Sequence, residues 1–204
     1  MLTIVDYGVG NLTSILNMMT KGGEKVRISG DHDYIADATK LLLPGMGHFD
    51  NCMQRLHSSG LLPILKRKVF IDKIPVLGIC VGLQMFMNSS EEGNEPGLGW
   101  VNGRTIRFKT EKIGNLLKIP NMGWLDVIPV KSSPLLEGLE GSRFYFAHTF
   151  HVEPEDKDDI LLMAEYGYRF TAGVEKDNII GVQFHPEKSH RFGMKLLTNF
   201  VNNY

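Results

Sequence analysis

Five residues, Gly78-Ile79-Cys80-Val81-Gly82, constrain this 204-residue chain more than any other stretch. An apolar run from Ile74 to Ile79 leads in, and an apolar-periodic segment from Leu83 to Met87 leads out. The pattern reads as strand, sharp turn and helix with a nucleophile at the turn, the thiol counterpart of the Gly-x-Ser-x-Gly elbow. Glycines flank the cysteine because a β-carbon at either place would clash in so tight a turn. The turn lifts the thiol above the sheet edge and sets it at a helix N-terminus, whose positive end favours a thiolate.

Gly-x-Cys-x-Gly alone also fits a buried cysteine between packed glycines. A second motif shifts the balance. Gly181-Val182-Gln183-Phe184-His185-Pro186-Glu187 is an apolar strand ending in His-Pro-Glu. Pro186 biases His185 toward extended backbone. In extended chain, residues i and i+2 share a side. Glu187 can therefore reach the His185 ring and fix its tautomer, leaving the other ring nitrogen for the Cys80 proton. Nucleophile, base and orienting acid are then present, the triad logic applied to a thiol.

The rest of the first half alternates strand and helix. Strands are expected at 2–6, 25–29 and 40–43, and helices at 12–21, 31–38, 49–56 and 61–70. Short loops between them predict a parallel, doubly wound sheet. In such sheets the chemistry sits beyond the C-terminal strand ends. Both Cys80 and Pro44-Gly45-Met46-Gly47 fall there. The Gly8/Gly10 spacing lacks the third glycine of a dinucleotide fingerprint, since position 13 is Thr13, so NAD is not expected. Residues 89–103 read as loop. Short strands follow at 104–108, 125–130, 143–152, 160–166, 171–176 and 179–184, an added antiparallel or mixed portion. An amphipathic helix over 188–204 closes the chain. No repeat or linker divides it, so one domain over 1–204 is expected.

Composition narrows the partners. With 22 Lys+Arg against 23 Asp+Glu the net charge is −1, which argues against a sequence-independent nucleic-acid binder or a polybasic membrane-surface protein. The first strand starts at once, without a basic signal-peptide region. No apolar stretch approaches the roughly 20 residues that span a bilayer. Two cysteines, one at an elbow, fit a reducing cytoplasm better than a disulfide framework. No His/Cys/Asp/Glu group has zinc spacing, so no metal or other cofactor is expected.

Gly78-Ile79-Cys80-Val81-Gly82-Leu83-Gln84 with Gln183-Phe184-His185-Pro186-Glu187 resembles the class I, triad-type glutamine amidotransferases. Within that family the chain is similar to the glutaminase subunits of imidazole glycerol phosphate synthases. The likeness runs nearly end to end, through Asp6-Tyr7-Gly8, Leu43-Pro44-Gly45-Met46-Gly47, Pro96-Gly97-Leu98-Gly99-Trp100, Pro120-Asn121-Met122-Gly123-Trp124 and Tyr145-Phe146-Ala147-His148. The Met-Gly-Trp stretch is the more specific pointer.

The resemblance implies an α/β fold with a central, mostly parallel sheet and the elbow after a central strand. It implies hydrolysis of L-glutamine to glutamate and ammonia through a thioester on Cys80, with His185 as base and later acid, oriented by Glu187. Val81 N–H and Met46 N–H are the expected oxyanion donors, and glycines beside Met46 would let its peptide rotate. Gly45, Gly47, Gln84, His148, Thr149 and Phe150 are the expected glutamine contacts, the last three largely through backbone. A separate (β/α)8-barrel subunit would take the ammonia to build imidazole glycerol phosphate and an aminoimidazole carboxamide nucleotide. It would dock as a heterodimer at Asn11 and at Asn121, Met122, Gly123 and Trp124.

Two departures keep alternatives open. Thr149-Phe150 stands where the family often has a second hydroxyl residue, Tyr. Lys188-Ser189-His190-Arg191-Phe192-Gly193-Met194 also suits paralogues that supply ammonia for amidating cell-surface sugars. A cysteine peptidase and a catalytically silent binding subunit are further readings. Cys52, beside an apolar helix face, reads as a structural thiol. His48, His57 and His190 fit capping or solvation. Trp124, in a glycine-rich loop after Pro120, fits either core or an exposed anchor.

Overall fold

Strand β1 (Leu2–Val5) is buried along its whole length. A strand covered on both faces belongs to a parallel sheet with helices on either side, and the computed structural model, which describes residues 1–113 and 117–204, has that arrangement. In chain order there follow α1 (Leu12–Lys21), β2 (Val26–Ser29), α2 (His32–Ala36), β3 (Lys40–Gly45), α3 (Phe49–Ser58), α4 (Leu62–Lys66), β4 (Val76–Cys80) and α5 (Val81–Gln84). The second half gives β5 (Ser89–Ser90), β6 (Gly103–Arg107), α6 (Thr110–Ile113), β7 (Asn121–Pro129), β8 (Arg143–His148), β9 (Phe150–Pro154), β10 (Ile160–Tyr166), β11 (Tyr168–Lys176), β12 (Ile179–Val182) and α7 (His190–Asn203).

The strands lie in the order β2-β1-β3-β4-β12-β11-β10-β7-β8, with β9 joining β6 and β5 to β11. From β2 to β12 all neighbours are parallel; beyond β12 they run antiparallel. The antiparallel part follows on from the parallel sheet through β12. That strand pairs with β4 on one side and β11 on the other. As a result, β3, β4 and β12 end side by side, and Gly45, Cys80 and the His-Pro-Glu segment meet at one rim.

Several expected elements shift. The single strand expected at 143–152 is two, β8 and β9, meeting at Thr149. The helix expected over 61–70 is α4 followed by a π-helical turn, Arg67–Ile71. The 89–103 loop contains β5, and α6 was not expected. Asn121-Met122-Gly123-Trp124 is not loop. It is the start of β7, each residue opposite one of β8 from His148 back to Tyr145. Pro120 and Gly123 read locally as turn residues, and pairing with β8 overrides them.

Candidate active site

Cys80 has φ 55° and ψ −112°, a strained backbone for a residue with a β-carbon. The neighbouring glycines explain how the turn closes. A β-carbon on Gly78 would lie 2.7 Å from Phe86 Cε2, and one on Gly82 would run into the Leu43 carbonyl. The helix after the elbow is only the single turn α5, not the longer segment expected through Met87. What acts on the sulfur is therefore its immediate neighbours, not a long helix dipole.

His185 follows β12 in extended backbone, φ −103° and ψ 95°. Its Nδ1 donates to Glu187 Oε1 at 2.8 Å, and both side chains are buried. The ring also meets Cys80. Burial alone would lower its pKa, but hydrogen bonding to Cys80 and to Glu187 outweighs burial and pushes it up to about 10. The ring is therefore charged at neutral pH, beside the sulfur and backed by a carboxylate.

The rim of β3 faces the elbow. Leu41 N–H donates to the Pro75 carbonyl at 2.9 Å, which sets the phase of the β3–β4 ladder. Counted two residues at a time to its last rung, Gly45 opposite Cys80, that phase turns the Gly45 carbonyl toward Val81 N–H. Anchors hold the carbonyls on either side. Tyr7 hydroxyl donates to the Pro44 carbonyl at 2.5 Å, and the buried Cys52 thiol donates to the Met46 carbonyl at 3.5 Å. Burial pushes the Cys52 thiol up, as befits a neutral donor.

A cavity of about 220 Å³ opens over Cys80. Met46, Gly47, Val81, Gln84, His148, Thr149, Phe150 and His185 line it, with Glu92, Pro120, Ala147 and Lys188. Gln84 lies deep, 2% exposed, and its carboxamide donates to the Phe150 carbonyl at 3.0 Å. His148 Nδ1 donates to the same carbonyl at 2.7 Å, and its Nε2 lies 3.1 Å from Asn121 Nδ2. Burial lowers the His148 pKa to about 3, so it stays neutral. Among the described residues no three His, Cys, Asp or Glu side chains converge as metal ligands would.

The glutamine amidotransferase class-I family model matches residues 3–204. The chain is 50% identical over 202 residues to imidazole glycerol phosphate synthase subunit HisH 2 of Pseudomonas aeruginosa, covering 98% of each. It is equally similar, with the same coverage, to the HisH 2 subunit of Methanococcus maripaludis. It is 42% identical to the HisH subunit of Leptospira interrogans, over 99% of this chain and 100% of that one. This chain belongs to the class-I glutamine amidotransferases. The fold agrees: PurLQS from Thermotoga maritima superposes with a TM-score of 0.74 at 19% identity, over 99% of this chain and 97% of that one.

All eleven residues expected around the amidotransferase elbow gather at the rim of β3, β4 and β12. Cys80, His185, Glu187, Met46, Val81, Gly45, Gly47, Gln84, His148, Thr149 and Phe150 lie in or directly beside the one cavity. The expected interface residues divide. Met122 is 64% exposed, while Asn121 is 1% exposed and its side chain reaches inward to His148. Trp124 is half-buried, flat on His190 at 5.6 Å and edge-on to Tyr145 at 6.2 Å. Asn11 precedes α1 without a side-chain capping bond. Gln183, unassigned in the sequence, points at Cys80 with its Nε2 3.8 Å from the sulfur. Strand alternation does not flag it: β12 ends at Val182 and the chain bends at 183–184 before His185.

Proposed function

We propose that this chain is the glutaminase subunit of an imidazole glycerol phosphate synthase. What carries the reading is an intact Cys80–His185–Glu187 set at one sheet rim, in a chain similar end to end to subunits of that name. Cys80 sulfur attacks the glutamine carboxamide carbon. The His185 proton goes to the departing nitrogen, ammonia leaves, and a glutamyl thioester remains. Water, deprotonated by His185, then splits the thioester to glutamate and free thiol. Glu187 keeps the ring turned and its charge balanced. The ammonia passes to a (β/α)8-barrel partner in histidine synthesis. With both cysteines as free thiols, the reducing cytoplasm is the expected compartment.

The oxyanion needs Val81 N–H, which the ladder phase turns toward the Gly45 carbonyl. Held carbonyls at Pro44 and Met46 leave the Gly45–Met46 peptide as the one to turn. Turning it would free Val81 N–H and bring Met46 N–H to the same point.

The test is Cys80→Ala in the assembled complex. Glutamine-dependent synthesis should vanish while synthesis from added ammonia survives. Glutamate release by the variant would remove Cys80 from the mechanism.

One observation favours a second reading with the same chemistry and a different acceptor. His190, from the Lys188–Met194 stretch that also suits such paralogues, lies flat on Trp124, one of the residues expected to meet the partner. On that reading the partner meeting this face is a sugar-modifying synthase, not a barrel. The synthase that co-purifies, a barrel or a sugar-modifying enzyme, decides between them.

A further inference from the structure

A chain of buried hydrogen bonds ends on the Cys80 sulfur, and one backbone atom sets its polarity. The Phe150 carbonyl can only accept. It receives His148 Nδ1 at 2.7 Å and one end of the Gln84 carboxamide at 3.0 Å, so that end of Gln84 is nitrogen. The same nitrogen lies 3.2 Å from one end of the Gln183 carboxamide. Two amide nitrogens cannot satisfy each other, so the facing atom of Gln183 is its oxygen. The other end, by elimination the NH2 group, is 3.8 Å from Cys80 Sγ. Gln84 is 2% exposed and Gln183 fully buried, so neither amide has bulk water as an alternative partner. Gln183 hangs from a fixed point, since its own N–H donates to the Ala172 carbonyl at 2.9 Å.

We propose that Gln183 is a positioning residue for the Cys80 thiolate: its carboxamide donates to the sulfur, holds it at the elbow and favours its anionic form. The proposal rests on the reading of Cys80 as the nucleophile. His185 with Glu187 faces the sulfur from the turn after β12, Tyr7 from the β1–α1 turn and Cys52 from α3. Lys188 and Glu92 stand at the cavity mouth. Of these, His185 exchanges its proton during the reaction, so its charge comes and goes. Gln183 cannot lose its donor. It would hold the sulfur through both halves of the cycle, including the moment when the thiolate departs from the thioester. A thiolate benefits from such a donor because anion-directed hydrogen bonds are the stronger kind. The arrangement also ties the sulfur to Phe150, so that a ligand seated on the 148–150 segment is felt at the nucleophile through two amides.

The test compares iodoacetamide alkylation against pH for the wild-type protein, Gln183→Met and Gln183→Glu, with Cys80→Ala measuring any contribution from Cys52. Gln183→Met keeps length and packing but removes the donor. Its profile should move up by roughly one pH unit, about a tenfold loss of thiolate on the rising limb. The Gln183→Glu profile should move further, since a carboxylate both lacks the donor and sets a like charge beside the thiolate. In glutamine hydrolysis Gln183→Met should lower kcat with little change in KM. Superimposable alkylation profiles in folded variants would overturn the proposal. If neither variant folds, the wild-type protein still answers: the Gln183 side-chain amide resonances should follow Cys80 ionisation and lose that titration in Cys80→Ala. Resonances that stay still would also overturn it. Failure of the underlying reading looks different, since it would appear as glutamate release by Cys80→Ala.

Discussion

At the scale of single residues, His185 donates to Glu187 at 2.8 Å through a turn of the backbone. Only His185 is extended, and Pro186–Lys188 is a turn of 3₁₀ helix that brings Glu187 to the ring, a different backbone route from the extended chain the sequence predicts. Gln183, just past the end of β12, was not found from the sequence. It was missed because a glutamine in an apolar strand carries no titratable signal. The Cys80 backbone was legible from its glycines, whereas the roles of Tyr7 and Cys52 beneath the rim were not. Nothing local tells a core tyrosine from one that holds a particular carbonyl. The charged His185 predicts graded losses. His185→Ala should be nearly as severe as Cys80→Ala, and Glu187→Gln milder. Triads set the scale, on the order of 10⁶-fold for nucleophile or base and 10⁴-fold for the orienting acid. The His185/Glu187 double variant should cost far less than the product of the single losses. Multiplicative losses in kcat would show two residues acting separately.

At the scale of elements, periodicity succeeded where packing is one-sided and failed where pairing decides. Helix α1 falls at Leu12–Lys21 as read, because its apolar stripe faces a sheet and Gly22 and Gly23 follow it. Strand β7 was cut short because Pro120 and Gly123 look like turn residues until β8 is beside them. This β7–β8 pairing also buries His148, which predicts an acid limit to stability. The folded pKa of His148, about 3, lies below its unfolded value near 6.5. A neutral buried imidazole therefore adds stability above pH 6.5 that is lost as pH falls from there toward 3. His151, also lowered by burial, acts in the same direction. Raised to about 10, His185 acts oppositely: its contribution is present below pH 6.5 and fades as pH rises through 10. The Tm of the wild-type protein should thus drop more steeply between pH 6.5 and 4 than that of His148→Gln. Parallel slopes would mean that His148 is not held neutral by the fold.

On the scale of the whole molecule, the resting rim looks built to wait. The Gly45 carbonyl faces the donor that an oxyanion requires, and a missing donor costs about 2.7–4 kcal/mol, or roughly 10²–10³ in rate. The free subunit should therefore be a poor glutaminase. A partner can correct this only by binding the turned peptide more tightly than the resting one. The surface proposed for that lies close by. Met46 is 47% exposed at the rim, and Met122 and Trp124 stand on β7, whose first residue, Asn121, bonds to His148 in the cavity wall. A barrel seated on β7 would press on the rim and on the substrate segment together. Trp124→Ala should weaken docking and blunt the stimulation, yet leave alkylation of Cys80 in the free subunit unchanged, because Trp124 contacts Tyr145 and His190 and lies outside the cavity lining. The measurement is glutamate release by the isolated subunit, then with the barrel, then with the barrel and its own substrate. The rate should climb by roughly 10²–10³ across the series, the cost of one oxyanion donor. If the free subunit already matches the full complex, Val81 N–H is available from the start, and the Gly45–Met46 peptide is structural only.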